Sequence, residues 1–338
     1  MKIESLKKRL SVYKQSLKNL VSLFSYKLRG SKILIIQAAA GLGDYLWIRN
    51  YLPLIKADPQ YKDYKLILCC TERWLDFAKE MDEKYIDIFL PFKSPYNPKY
   101  REKFPLLYIK FDILINFHTY YVWKNLNESI KSKRTFLIDI VPPDIMKMFY
   151  DTRNNVFMSN IVQLPQNFQH TLPVKKICDR PKVVTLALRG YSQGKLSMEQ
   201  VEFIIKKLSS EFSHDILLLG EKSDFPTYEE MLSRSPSLSK RLICGCGNFS
   251  QTELIDVIEN SFFVITPDTS IFHMALQLKK DILCLSNFNG VSHYDDTKVC
   301  HLRANTMQDI SKEMLSDGIM QIKYQLVRKD KTVTISDI

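Results

Sequence analysis

Apolar positions near the start of the chain recur every three or four residues: Ile3, Leu6, Leu10, Tyr13, Leu17, Leu20 and Phe24. That spacing follows the turn of an α-helix and predicts an amphipathic helix with one apolar stripe. Lys7, Lys8, Lys14 and Lys18 fall off the stripe, and Arg29-Gly30 closes it with a cation and a glycine. From residue 32 the pattern changes. Ile33-Leu34-Ile35-Ile36 is apolar without alternation, as in a strand covered on both faces of a parallel sheet. A small-residue turn, Ala38-Ala39-Ala40-Gly41-Leu42-Gly43-Asp44, leads into a helix predicted over 45–55. Further strands are predicted at 65–70, 111–117 and 135–140, with a helix over 72–81.

Pro165, Pro173 and Pro181 punctuate a polar stretch that reads as a linker. A second alternation follows. It has strands at 182–188, 215–219, 241–244, 262–266 and 281–285. Helices are predicted over 198–212 with Ser197 as N-cap, from Ser250 or Thr252 to 260, and over 269–278. Alternating strands and helices on both sides of a linker predict an α/β protein of two doubly wound halves. Ligands of such sheets bind at the carboxyl ends of the strands, here in a central cleft between the halves. The resulting division is a basic helix at 1–30, a first domain at 31–165, a linker at 166–181, a second domain at 182–310, and a helix or tail at 311–338.

Composition narrows the class. Of the 338 residues, 45% are hydrophobic and 25% charged, ordinary for a folded chain. The net charge is +11, and residues 1–30 hold eight Lys and Arg against Glu4 alone. A surplus so concentrated argues against a whole-domain nucleic-acid platform. It leaves three readings of the helix: one packed on its domain, one lying on an anionic membrane surface, or a short coiled coil. The seven cysteines are odd in number and sit mostly in apolar runs, so buried thiols in a reducing compartment are expected and a zinc site is not. No run approaches a membrane span, and charges occupy the place of a signal peptide's apolar core. The chain is expected in the cytoplasm, with the option of a peripheral place on the inner membrane face.

Four strand ends carry candidate chemistry. Gly41-Leu42-Gly43-Asp44 lets the backbone turn tightly and holds a carboxylate at a helix start, where it could equally be a cap. Asp268 is expected to cap the helix that follows, with Thr269 and Ser270 offering hydroxyls and amides to a diphosphate. His273, a turn later, could face the same ligand or merely pack. Arg189-Gly190-Tyr191-Ser192-Gln193-Gly194-Lys195 is a polar loop whose lysine could meet a phosphate or stay solvated. Glu221, directly after a strand and Gly220, could take ribose hydroxyls or be an exposed loop residue.

Taken in order, these motifs resemble the heptosyltransferases, the family 9 glycosyltransferases of lipopolysaccharide synthesis. The family's G-D turn is matched by Gly43-Asp44, its D-S/T-G-x-x-H motif by Asp268-Thr269 and His273, its lysine by Lys195 and its Gly-Glu by Gly220-Glu221. The match runs over roughly 31–302. Ser270 and Ile271 stand where the family has glycine and proline, and Lys195-Leu196-Ser197-Met198 replaces Lys-x-Trp-Pro. The resemblance implies a GT-B fold and inverting, metal-independent transfer from a nucleotide-sugar, typically ADP-heptose, with no cofactor. It implies Asp44 as general base, with Lys195 and the amides near Thr269 and Ser270 stabilising the departing diphosphate. Glu221 would hold the ribose, and Phe249 would pack on the base. Arg189 and Gly190 belong to the donor loop. Gly43, His118 and Tyr120, with Tyr121 and Trp123, are assigned to the acceptor side, a glycan or glycolipid. The alternatives are a catalytically degenerate nucleotide-sugar-binding protein and a GT-B-shaped epimerase.

Overall fold

The computed structural model describes residues 2–94, 98–118, 124–146, 150–164, 172–174, 182–190, 194–287 and 298–333. The chain divides into two units, Met1–His170 and Thr171–Ile338. The division falls within 166–181, where a linker is expected; most of that stretch lies outside the described residues.

The first unit is built on a five-stranded sheet of order β3-β2-β1-β4-β5. Its strands are β1 (Ile33–Gln37), β2 (Lys65–Thr71), β3 (Ile88–Phe92), β4 (Phe111–Asn116) and β5 (Ser132–Leu137). All pairings are parallel, with Ile35 opposite Ile67 on one side and Leu114 on the other. Every residue of β1 is buried, the reason its sequence shows no alternation. Strand β3 is one that the apolar pattern does not reveal, because Pro91 interrupts it; an edge strand tolerates that proline. Strand β5 begins and ends three residues earlier than the predicted 135–140, where Lys133, Arg134 and Thr135 are exposed. The helix predicted over 45–55 is broken into Leu42–Ile48, a 3₁₀ turn at Arg49–Tyr51, and Leu52–Ala57. Pro53, in the first turn of the last piece, has no N–H to continue the helix.

The N-terminal helix spans Lys2–Leu28. Gly30 takes φ +72°, its N–H donates to the Lys27 carbonyl (3.0 Å), and the Ser31 N–H donates to the Tyr26 carbonyl (2.9 Å). This pair of bonds is the Schellman closure that a glycine after a helix permits. The face that packs shares Leu20 with the predicted stripe and is otherwise turned away from Leu17 and Phe24. Leu20 and Leu23 are buried with Leu90, Phe92, Leu106 and Phe111, and Asn19 Nδ2 donates to the Phe89 carbonyl of β3 (3.1 Å). Leu17 and Phe24 of the stripe remain 56% and 44% exposed.

The second unit has a six-stranded sheet of order β10-β9-β6-β11-β12-β13, and a two-stranded hairpin, β7-β8. The ranges are β6 (Val183–Ala187), β7 (Arg189–Gly190), β8 (Gly194–Lys195), β9 (Ile216–Leu219), β10 (Leu242–Cys244), β11 (Ser261–Pro267), β12 (Ile282–Asn287) and β13 (Val299–Ala304). The large sheet is parallel throughout. Ser197 caps the helix Met198–Glu211 as expected, its hydroxyl accepting the Gln200 N–H at 3.2 Å. The helix Phe225–Arg234 was not apparent in the sequence. The C-terminal helix Lys312–Val333 is no loose tail. Leu315, Ile319 and Ile322 sit in the core beside Leu283 and Met307. Gln200 Nε2 ties the segment before it by donating to the carbonyls of Met307 (2.8 Å) and Ile310 (2.9 Å).

Cys69, Cys70, Cys246, Cys284 and Cys300 are buried, and Cys178 lies outside the described residues. Burial raises the pKa of these thiols, that of Cys246 to about 12, which makes them inert core groups.

Candidate functional site

Strand order locates the crevices. In the first unit the chain runs from β1 outward through β2 and β3, then returns to β4 on the other side of β1. Loops leaving β1 and β4 therefore diverge, and the gap at their carboxyl ends is where open α/β sheets bind ligands. Those loops carry Gly43-Asp44 and His118. In the second unit β6 leads to β9 and β10 on one side, and β11 lies on the other. There the diverging loops carry Arg189–Lys195 and Asp268–Ser270. Each predicted catalytic residue thus stands at a topological switch point of its own unit.

The turn after β1 is fixed from several directions. Gln37 Oε1 accepts the Ala39 N–H (2.7 Å), and Trp74 Nε1 donates to the Ala40 carbonyl (2.9 Å). Tyr45 stacks on Trp74 with ring centroids 4.2 Å apart and donates to Asp82 (2.7 Å). Arg49 binds the same buried carboxylate through Nε and Nη2, each at 2.9 Å. Asp44 is half-buried in the first turn of Leu42–Ile48, and its Oδ2 accepts the Gly41 N–H (3.1 Å). The backbone thus holds the carboxylate in one pose at the mouth of the sheet.

His118 is buried at the end of β4, its N–H donating to Asn116 Oδ1 (3.1 Å). Burial lowers its pKa to about 4, against a smaller upward pull from Asp44; Arg153 also lowers it. The imidazole is therefore neutral at pH 7, within electrostatic reach of both groups. Arg153, on the helix Tyr150–Val156, is a member of this cluster that the sequence did not suggest. A lone arginine in a stretch without clear periodicity gives no signal. Tyr120, Tyr121 and Trp123 lie outside the described residues.

In the second unit Leu188 leads from β6 into the β7-β8 hairpin. Arg189 pairs with Lys195 and Gly190 with Gly194, whose φ is +92°. Directly opposed side chains lie on one face, and two cations there repel. Asp224 compensates. Its side chain is fully buried, with Oδ1 2.6 Å from Arg189 Nη2 and 2.9 Å from Lys195 Nζ. Its Oδ2 accepts the Glu221 N–H (2.9 Å), and Lys195 Nζ also donates to Thr227 Oγ1 (2.8 Å). Burial pushes the Asp224 carboxyl up, but the hydrogen bonds from Lys195, Arg189 and the Glu221 amide outweigh it and hold the pKa below the usual value. Lys195 is therefore an anchored cation, not the loose point charge the loop suggested. A Cβ on Gly220 would lie 2.8 Å from Asp224 Cβ, so glycine there makes room for the acid. Glu221 is 61% exposed and reaches Arg189 Nη1 at 3.4 Å.

The turn after β11 differs from expectation in one respect. The N-cap is Thr269, not Asp268. Thr269 has extended backbone and its hydroxyl accepts the Ile271 N–H (3.2 Å), so the helix is Ser270–Gln277. Asp268 instead lies beside His273, with Oδ1 3.7 Å from Nε2 of the buried imidazole. Phe249 is half-buried after β10, in the loop where the Gly247 N–H donates to the Gly220 carbonyl (2.9 Å). That bond draws the loop towards the end of β9. Among the described residues no group of three or more His, Cys, Asp or Glu is placed to hold a metal ion.

No protein-family model and no curated protein matches the sequence. Solved structures do. The E. coli ADP-heptose lipopolysaccharide heptosyltransferase II aligns over 88% of this chain and 99% of its own, at 12% identity and a TM-score of 0.61. A family 9 glycosyl transferase from Veillonella parvula DSM 2008 aligns over 88% and 97%, at 12% identity and a TM-score of 0.64. The E. coli heptosyltransferase WaaC with ADP aligns over 86% and 98%, at 12% identity and a TM-score of 0.62. The fold is that of the GT-B, heptosyltransferase-like glycosyltransferases, as the motifs led us to expect.

Proposed function

We propose that this chain is an inverting glycosyltransferase that moves a sugar from a nucleotide-sugar to lipopolysaccharide or another cell-surface glycan. One observation carries the reading. Arg189 and Lys195 are held together on buried Asp224 at one loop of a switch point, and the Thr269-capped helix start is the other loop. Two fixed cations and a helix start on the two loops of one crevice suit a diphosphate. The solved structures of like fold include one with ADP, so an ADP-linked sugar, heptose foremost, is the first donor to test.

In this reading the Asp44 carboxylate takes the proton of an acceptor hydroxyl as its oxygen bonds to the anomeric carbon. The bond from that carbon to the diphosphate oxygen breaks on the opposite side, which inverts the centre. Arg189, Lys195 and the amides after Thr269 meet the charge that develops on the leaving group, the part a metal plays elsewhere. Glu221 receives the ribose and Phe249 the base. Neutral His118 and charged Arg153 serve the acceptor side.

The test is donor binding and turnover with ADP-, GDP- and UDP-sugars. We expect thermal stabilisation by one nucleotide class, and donor consumption when acceptor is present. Asp44→Asn keeps an oxygen for the Gly41 N–H but cannot take the proton, so it should bind donor normally and transfer nothing. No stabilisation by any nucleotide-sugar overturns the reading. Binding without turnover in the unsubstituted protein favours a degenerate binding protein. Asp44→Asn with full activity removes Asp44 from the mechanism.

A further inference from the structure

The N-terminal helix has two apolar faces and uses one. Leu20 and Leu23 are buried against the first unit. Leu17, Val21, Phe24 and Leu28 are 56%, 61%, 44% and 87% exposed, and their spacing of four, three and four residues sets them in one stripe. The sequence continues the same spacing backwards through Tyr13, Leu10, Leu6 and Ile3. Folded proteins seldom leave a contiguous apolar strip in water without a use for it.

The surroundings of the strip are cationic. Lys14 and Lys18 are exposed along one flank. The helix ends at a hollow of about 500 Å³ lined by Lys27, Lys32, Lys133 and Arg134, with Asp112 as its acid. Lys27 and Lys133 already bind Asp112, at 2.7 and 2.8 Å. The hollow therefore keeps a positive surplus at the same end of the helix as Leu28.

We propose that this helix is a docking face for an anionic lipid bilayer, with Leu17, Val21, Phe24 and Leu28 entering the acyl boundary and the flanking lysines meeting headgroup phosphates. Charge selects this occupant over a second copy of the chain. Two such helices would bring together segments holding eight cations and one acid each, and would repel. Anionic headgroups attract the same charges. Among the described residues no helix is long and apolar enough to cross a membrane, so the helix lies on the surface. The inference stands apart from the transferase reading and does not depend on it.

Co-sedimentation of the full chain tests it, with vesicles of phosphatidylcholine containing phosphatidylglycerol and with phosphatidylcholine alone. The paired substitutions Val21→Glu with Phe24→Glu, and Lys14→Glu with Lys18→Glu, are at exposed positions and should leave the melting temperature unchanged. We expect binding to the anionic vesicles, weaker binding to the neutral ones, and a fall of about tenfold or more in each variant. The proposal is overturned if the unsubstituted protein ignores anionic vesicles at low salt, or if binding survives in either variant. It is equally overturned if the exposed face proves to hold a dimer that Val21→Glu with Phe24→Glu dissociates.

Discussion

Asp224→Asn is the most informative single substitution in the second unit, because one buried carboxylate orders two cations and a backbone amide. Removing one partner of a fully buried pair costs about 3–5 kcal/mol. The cost here is smaller, since the Arg189 and Lys195 side chains are 34% and 37% exposed and can regain water. A hydrogen bond to a charged group contributes about 1.5–3 kcal/mol, and asparagine keeps one acceptor oxygen, so a loss of about 2 kcal/mol is expected. For a unit of this size that lowers the melting temperature by about 4–8 °C. The pH dependence has a definite sign. The folded carboxyl titrates below its ordinary value, so its stabilisation is complete above the unfolded value of about 3.9 and is lost as pH falls through the folded value. Thermal and urea melts of both proteins at pH 7 and at stepwise lower pH should show a gap that closes in acid. A gap below about 1 °C at pH 7, or one that stays constant into acid, would refute the claim that Asp224 organises this loop.

Two further outcomes follow from the other strand ends. Thr269→Ala removes the hydroxyl that caps Ser270–Gln277 and should cost about 1 kcal/mol in denaturant unfolding, whereas Thr269→Ser should recover most of it. His118, held neutral by burial with its pKa lowered to about 4, binds fewer protons folded than unfolded between that value and its ordinary one of about 6.5. Stability should therefore fall as pH drops through that window, by on the order of 2 kcal/mol from pH 6.5 to 5. A His118→Gln protein with the same slope in urea titrations would show that another group is responsible.

Much of the fold could be read from local patterns. The unbroken Ile33–Ile36 run is apolar because β1 has neighbours on both sides and both its faces are covered. Ser197 reads as a cap because its partner, Gln200, is three residues away. What the sequence hid depends on distant partners. The helical period shows that the first helix is amphipathic, but Leu20 and Leu23, not Leu17 and Phe24, meet the core, because β3 and the helix Tyr100–Leu107 lie on that side. Asp268 and Thr269 are both good capping types, and only the backbone at Thr269 decides between them. Asp224 was invisible because the residues that give it meaning, Arg189 and Lys195, stand far back in the chain on the β7-β8 hairpin.

Each switch point has a buried carboxylate behind it, Asp82 in the first unit and Asp224 in the second, but the two carboxylates hold different groups. Around Asp44 the turn is set by an amide oxygen from Gln37, an indole N–H from Trp74 and the stacked Tyr45 ring, with the buried Arg49–Asp82 pair behind Tyr45. Of the bonds that fix this turn, the Asp44 carboxylate takes part in one, accepting the Gly41 N–H. Around Lys195 the order is electrostatic: two cations opposed across a hairpin tolerate each other because Asp224 lies beneath them. A ligand's phosphates would meet cations already in place, and the entropy of fixing two long side chains is met by folding, not by binding. The fold that creates both crevices is shared with proteins of 12% identity, while Ser270 and Ile271 stand where the family pattern has glycine and proline.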